Sequence, residues 1–440
     1  MSDYMFILES HLNAEQSAAL NAVQSAAAVA NLSVFLTGGA MRDMLGGFPI
    51  RDLDFTVEGP ALKLAQSVLK KSPATLISTD DVRKSAEVIF PGGVRVEIGM
   101  ARQERFTKSG SAPKVTPATI HEDLRGRDFT VNAIALSLNR ASRGLLIDPT
   151  NGLSDLERRE LRQVSSYGFY DDPVRMLRLV RFKTRLAFAV EERTQGSYQN
   201  AREAGMEKNI GPRQLFNELR QIGYEQNPLD VLKAFEDEGF LALYTPALAG
   251  PKLNAVAFQK LQKIRSVVPF GANLPVDDYA LVLNVATQLL APKEKAALVA
   301  ATKMTKQEAD PWQKLDQRSK KLDSALKSAR LSKASQIYAL LKHARGEEVF
   351  YLYLKSNSKT VPERIKNHLT KYLPTALDVS DSEVTQASGI EPGSPKFAKA
   401  KEDRIAGRLD GRVRKPAPEP VPEPPPQPAG RSMGRAARFR

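Results

Sequence analysis

Two aspartates one residue apart, Asp52 and Asp54 in the segment IRDLDFTV, have the type and spacing that chemistry needs. On a β-strand, positions i and i+2 share a face, so both carboxylates point one way while Leu53 and Phe55 turn towards a core. Like charges on one face repel unless a cation or a basic group neutralises them. Paired Mg²⁺ ions would do so usefully, one activating an attacking hydroxyl and the other stabilising a triphosphate and its leaving pyrophosphate. A solvated strand edge is the other reading of the pair taken alone.

The residues upstream add to this. Leu36-Thr37-Gly38-Gly39-Ala40-Met41-Arg42-Asp43 reads as a strand, a glycine pair and a helix start. Gly38 and Gly39 let backbone approach a phosphate closely, a helix N-terminus offers free N–H groups, and Arg42 on its first turn can pair with phosphate oxygens. A tight turn with one glycine at positive φ is the simpler alternative. In Val94-Arg95-Val96-Glu97-Ile98, alternation puts Glu97 on the polar face of a neighbouring strand, as a candidate third carboxylate or as a surface ion pair.

Two further segments carry charge in a pattern. DFTVNAIAL, residues 128–136, reads as an amphipathic helix with Asp128 as N-cap, in which Asn132 is structural. Asp171-Asp172-Pro173 reads as the capped start of another helix, on which Arg175, Arg178 and Arg181 recur every three residues. An unpaired arginine stripe beside Leu177 and Val180 calls for an anion or solvent; an exposed face with i,i+3 pairs is the alternative.

The elements that must position these residues follow from the surrounding pattern. Residues 14–30 are alanine-rich and helical, and short apolar runs at 34–37, 50–57, 75–78, 88–90 and 94–99 alternate with helical stretches up to about residue 150. From Leu153 to about residue 375 the pattern is almost wholly helical, with no fixed-period repeat. The expected division is a mixed α/β head over residues 1–150, a helical neck over 151–250, a helical body and tail over 251–385, and a disordered Pro- and Arg-rich segment over 386–440. A formal charge of +14 suits a polyanionic partner, though solubility alone would explain it. The absence of cysteine excludes disulfides and Cys-ligated zinc and fits a reducing cytoplasm. Neither a signal peptide nor a membrane span is expected.

Taken in order, these segments resemble the class II tRNA nucleotidyltransferases and bacterial poly(A) polymerases of the DNA polymerase β-like superfamily. GGAMRD followed by RDLDF matches the family's glycine-pair and carboxylate motif, EDLRGRDFTVNAIAL its arginine-aspartate motif, and DDPVRMLRLVRF its acidic-pair motif. The resemblance implies an α+β fold: a mixed-sheet catalytic head followed by an all-α neck, body and tail. It implies that Asp52 and Asp54 bind Mg²⁺, with Glu97 the candidate third carboxylate, and that Gly39, Arg42, Arg127 and Asp128 contact the nucleotide, with Gly38 beside them in the turn. It further implies that Asp172 and Arg175 read the base and that Arg178 and Arg181 reach the triphosphate. Gly126 stands where the family usually has an arginine, with Arg125 as a substitute cation. The implied reaction joins ATP, and with it CTP, to a tRNA or other RNA 3′ end; poly(A) addition and a non-catalytic RNA-binding homologue are the alternatives. No histidine is followed by aspartate, so a His-Asp phosphohydrolase activity is not expected.

Overall fold

A computed structural model describes residues 4–415 apart from 270 and 273. By internal contacts the chain divides into two compact units. The first runs to Val267, returns through Lys327, and takes in Ala344–Pro362; the second holds Ser328–His343 and the chain from Glu363 on. The expected divisions at residues 150 and 250 therefore fall inside the first unit.

In the first unit a short helix, Tyr4–His11, precedes helix Ala14–Val29, which is fixed at its start by Asn13 and Gln16. Asn13 accepts from the Gln16 N–H at 2.8 Å, and the Gln16 side chain accepts from the Asn13 N–H at 3.1 Å. The strands that follow are β1 (Ser33–Thr37), β2 (Asp52–Glu58), β3 (Thr75–Asp80), β4 (Ser85–Ile89), β5 (Arg95–Met100), the paired β6 (Arg102–Arg105) and β7 (Lys114–Pro117), β8 (Ala135–Ser137) and β9 (Leu146–Ile147). Seven of them form one mixed sheet in the order β3-β4-β5-β2-β1-β8-β9. β2 runs antiparallel to β1 and parallel to β5.

Alternation along β2 and β5 gives the sheet its two faces. Leu53, Phe55, Val96 and Ile98 are buried, while Asp52, Asp54 and Glu97 occupy the alternate positions. Helix Ala61–Lys71 presents Ala61, Leu64, Ala65 and Val68 at helical spacing, and with Ala14–Val29 it packs on this sheet. Lys70 and Lys71 sit favourably in its last turn, against the negative end of the helix dipole.

Two local expectations fail. DFTVNAIAL is not a helix: a short 3₁₀ turn, Thr130–Asn132, leads into β8, which pairs with β1. Its run of apolar residues is buried from every side, which a helical period and a central strand satisfy equally. Nor do Asp171 and Asp172 cap the helix Val174–Leu186. Its N-cap is Pro173, without a side-chain bond, and Asp172 Oδ1 accepts instead from Gln214 Nε2 at 2.7 Å.

In the second unit, Ala376, Val379, Val384, Phe397 and Ile405 form a core of their own. Residues 386–415 were expected to belong to a disordered segment. They contain helix Phe397–Leu409, whose Arg404 and Arg408 pair with Glu383. The proline-rich part of that expectation, from residue 416, lies outside the described residues. Among the described residues, no helix is long and apolar enough to cross a membrane.

Candidate active site

Asp54 lies at the centre of three strands. Thr37 at the end of β1 is its antiparallel partner, and Glu97 on β5 is its parallel partner. The chain then turns through Gly38, at φ +64°, into helix Gly38–Leu45. The Gly39 N–H donates to Asp54 Oδ2 at 3.2 Å, and a Cβ at Gly38 or Gly39 would stand 3.2 or 3.3 Å from that oxygen. The glycine pair thus makes room for the Asp54 carboxylate and gives it a donor at the positive end of a helix.

Asp52 is two residues away on the same face, opposite Arg95. Burial pushes the Asp54 pKa up, the Glu97 and Asp52 charges push it further, and Arg127 and the Gly39 N–H oppose them; it reaches about 7. Burial also raises Asp52, against the opposing charges of Arg51 and Arg95. Both aspartates are therefore short of positive charge, and their hard oxygen donors suit a divalent cation. The three carboxylates are not drawn together, however. Among the described residues, no group of three His, Cys, Asp or Glu side chains is placed to hold a metal, and the Glu97 residue is exposed.

The basic residues expected at a nucleotide site fall into two kinds. Arg127 is partly exposed; it holds Asp123 Oδ2 at 2.6 Å and Thr56 Oγ1 at 3.0 Å, and its charge faces Asp54. Arg175 donates to the carbonyls of Arg127 (3.2 Å) and Gly126 (3.0 Å), so position 126 contributes a backbone acceptor where an arginine was expected. Arg178 pairs with Asp128 at 2.9 Å and keeps 36% of its side chain exposed. Burial alone would raise Asp128, but Arg178, the Asn132 amide and Arg175 outweigh it and hold its pKa below the usual range. Asp172 is buried and raised by that burial, which Arg175, Arg178 and Arg83 only partly offset.

Arg42 and Arg181, each 3% exposed, are committed elsewhere. Arg42 grips Asp43 Oδ1 through Nε (2.9 Å) and Nη2 (2.8 Å), and donates to Asn132 Oδ1 at 2.7 Å. Arg181 spans Glu218 (2.9 Å) and Glu225 (3.1 Å). The arginine stripe is therefore neither unpaired nor a free phosphate surface. Sequence reasoning missed the partners that make it so: Asp43, Glu218, Glu225 and also Arg185, which donates to Asp43 Oδ2 at 2.6 Å. The one local signal was Arg185 four residues beyond Arg181 on the same helix; Glu218 lies on helix Pro212–Gly223 and Glu225 just past its end.

Residues 34–162 match the family described as the poly A polymerase head domain. The chain is 34% identical over 241 residues to an A-adding tRNA nucleotidyltransferase of Aquifex aeolicus, covering 55% of this chain and 29% of that protein. It is 33% identical over 244 residues to the A-adding tRNA nucleotidyltransferase of Halalkalibacterium halodurans, covering 54% of this chain and 56% of that one. The chain thus spans less than two thirds of either relative. Among solved structures it is similar to the apo form II of a CCA-adding enzyme, with a TM-score of 0.53 and 26% identity over 94% of this chain and 96% of the other. Divalent-metal dependence is general among nucleotidyltransferases of this kind. By residues 34–162 the chain is similar to the poly A polymerase head domain, and by its longer matches to tRNA nucleotidyltransferases.

Proposed function

We propose that this protein is a template-independent RNA nucleotidyltransferase of the cytoplasm that adds CCA, or part of it, to tRNA 3′ ends from CTP and ATP. The 3′-hydroxyl oxygen bonds to the α-phosphorus, the bond to the β-phosphate breaks, pyrophosphate leaves, and the hydroxyl proton passes to solvent or a nearby carboxylate. The observation that carries this reading is Asp54: a carboxylate seated on the Gly38-Gly39 turn, beside Asp52 and Glu97, with its pKa raised to about 7. Such a group is matched to a cation.

Asp52 and Asp54 would hold Mg²⁺, with Glu97 as the candidate third oxygen donor once the carboxylates draw together. A divalent cation held there would supply activation of the hydroxyl and charge neutralisation of the triphosphate. Gly38 and Gly39 orient Asp54, and Arg127 and Arg178, the partly exposed cations, meet the phosphates. Arg42, Asp128 and Arg181 support that surface from below. Asp172 and Arg175 read the base, which requires Arg175 to leave the carbonyls it now holds. The lack of cysteine fits the reducing compartment.

Full-length protein should be given tRNA ending before, within and after CCA, with ATP and CTP separately and together, and the products sequenced. ATP is incorporated in every case; use of CTP alone contradicts the proposal. Incorporation of a single A onto tRNA already ending in CC would select the A-adding reading, which the names of the two bacterial relatives favour.

A further inference from the structure

The paired arginines form a closed figure. From Asp128 it runs through Asn132 (3.0 Å) to Arg42 (2.7 Å) and on to Asp43 (2.8 Å). Asp43 passes it to Arg185 (2.6 Å), which lies 3.8 Å from Glu225. Arg181 then joins Glu225 (3.1 Å) to Glu218 (2.9 Å), and Arg178 returns from Glu218 (3.8 Å) to Asp128 (2.9 Å). Around the figure four arginines alternate with four carboxylates, with one amide as the neutral link, and Arg51 also reaches Glu225 from outside it at 3.1 Å. Inside the figure sits the Phe182 ring, with the guanidinium carbons of Arg181, Arg42 and Arg178 at 4.6, 5.0 and 5.8 Å from its centroid.

The ring has one loose joint. Asp128 Oδ2 and Arg178 Nε are both buried without a hydrogen-bond partner, so the Asp128–Arg178 contact is a charge pair without directed bonds. Arg178 is also the most exposed of the four arginines. Every other joint of the Asp43 side is firm: both Asp43 oxygens are taken, one by Arg42 and one by Arg185, at 2.6–2.9 Å.

We propose that Asp43 and Arg185 are positioning residues that close a ring of alternating charge around Phe182 and so set Arg178 for the nucleotide. Neither touches the substrate. Asp43 acts through Arg42 and Asn132, which fix Asp128, and Arg185 acts through Glu225, Arg181 and Glu218, which fix the approach of Arg178. The two arms meet at the loose joint, where the phosphates of a bound nucleotide exchange with the Asp128 carboxylate. The proposal rests on the nucleotidyltransferase reading for its ligand, but not for the ring itself.

Titration of Mg·ATP onto the full-length protein, with thermal melting of the same samples, tests both. Asp43→Asn and Arg185→Gln should each weaken ATP binding about tenfold or more, the scale of a misplaced charge-assisted contact. Their double variant should be no worse than either, because the ring is already open. Arg185→Lys, which keeps charge but loses the fork, should recover part of the affinity. A folded Asp43→Asn protein that binds ATP as the wild type does overturns the positioning role, whatever its melting temperature. A wild type that binds no ATP overturns the nucleotidyltransferase reading. The ring is then judged by melting alone, on Asp43→Asn and Arg178→Gln, which share no direct contact: non-additive losses support it and additive ones overturn it.

Discussion

The sheet face that carries Asp52, Asp54 and Glu97 and the ring around Phe182 are both crowded with charge, yet they solve opposite problems. On the sheet, like charges are set in register and one of them is held near half-protonation at neutral pH. Around Phe182, opposite charges alternate, each facing its complement. A buried charge without its complement is costly, and one with a complete set of partners is not. On the proposed reading the first region receives a cation, whereas the second holds a shape. Conservation of charge type alone would not tell them apart; the partners do.

The largest effect should come from breaking the first region. Replacing Asp52 or Asp54 with Ala removes a proposed cation ligand, and nucleotide incorporation, read as pyrophosphate release, should fall by about 10³-fold or more while the fold persists. Retained activity in both variants would place the chemistry elsewhere.

Breaking the second region should show in stability first. Glu218→Gln leaves Arg181 and Arg178 short of an anion in a buried site, at a cost of about 3 kcal/mol on the scale of broken buried pairs. Denaturant melts should show it; a change under about 0.5 kcal/mol, the scale of ordinary surface substitutions, would mean the ring relaxes freely.

The two regions should also differ with pH. The folded Asp54 pKa, about 7, lies above its unfolded value of about 3.9. The folded protein thus keeps a proton that the unfolded chain has lost; the stabilisation is fully present below the unfolded value and disappears as pH rises through about 7. Metal-free protein should lose stability between about pH 4 and 7, and Asp54→Asn should flatten that part of the profile. Because Mg²⁺ competes with the same proton, its apparent affinity should rise with pH by up to about tenfold per unit below pH 7. A flat Mg²⁺ profile would detach Asp54 from the metal. The smallest effect belongs to an exposed pair: Arg143 and Glu9, about half exposed at 48% and 56%, should yield less than about 1 kcal/mol in a double-mutant cycle.

Much of the head was legible in the sequence because its signals are local. The alternation in DLDFTVE, the Gly38-Gly39 turn and the run of alanines after Asn13 each follow from backbone geometry within a few residues. DFTVNAIAL misled because a fully buried short run has no period to read. The arginines misled for a different reason. Their spacing on Val174–Leu186 is plain, but which anion each one meets depends on Asp43, Glu218 and Glu225, whose side chains arrive from other elements. Helix Phe397–Leu409 was hidden by its small and charged residues; its burial rests on few apolar contacts, among them Phe397 and Ile405.

The parallel pairing of β2 with β5 also sets an order of events during folding. β1 and β2 are joined by a short connection, so Asp54 can settle on its glycine turn early. Glu97 reaches the same row only after the chain has passed through helix Ala61–Lys71 and the β3–β4 hairpin. Long-range pairings of this kind form late, after the entropy of closing the intervening loop has been met. The Glu97 share of the opposition at Asp54, added to that of burial and Asp52, thus enters only as the sheet closes, so a divalent cation that relieved it would act chiefly by slowing unfolding.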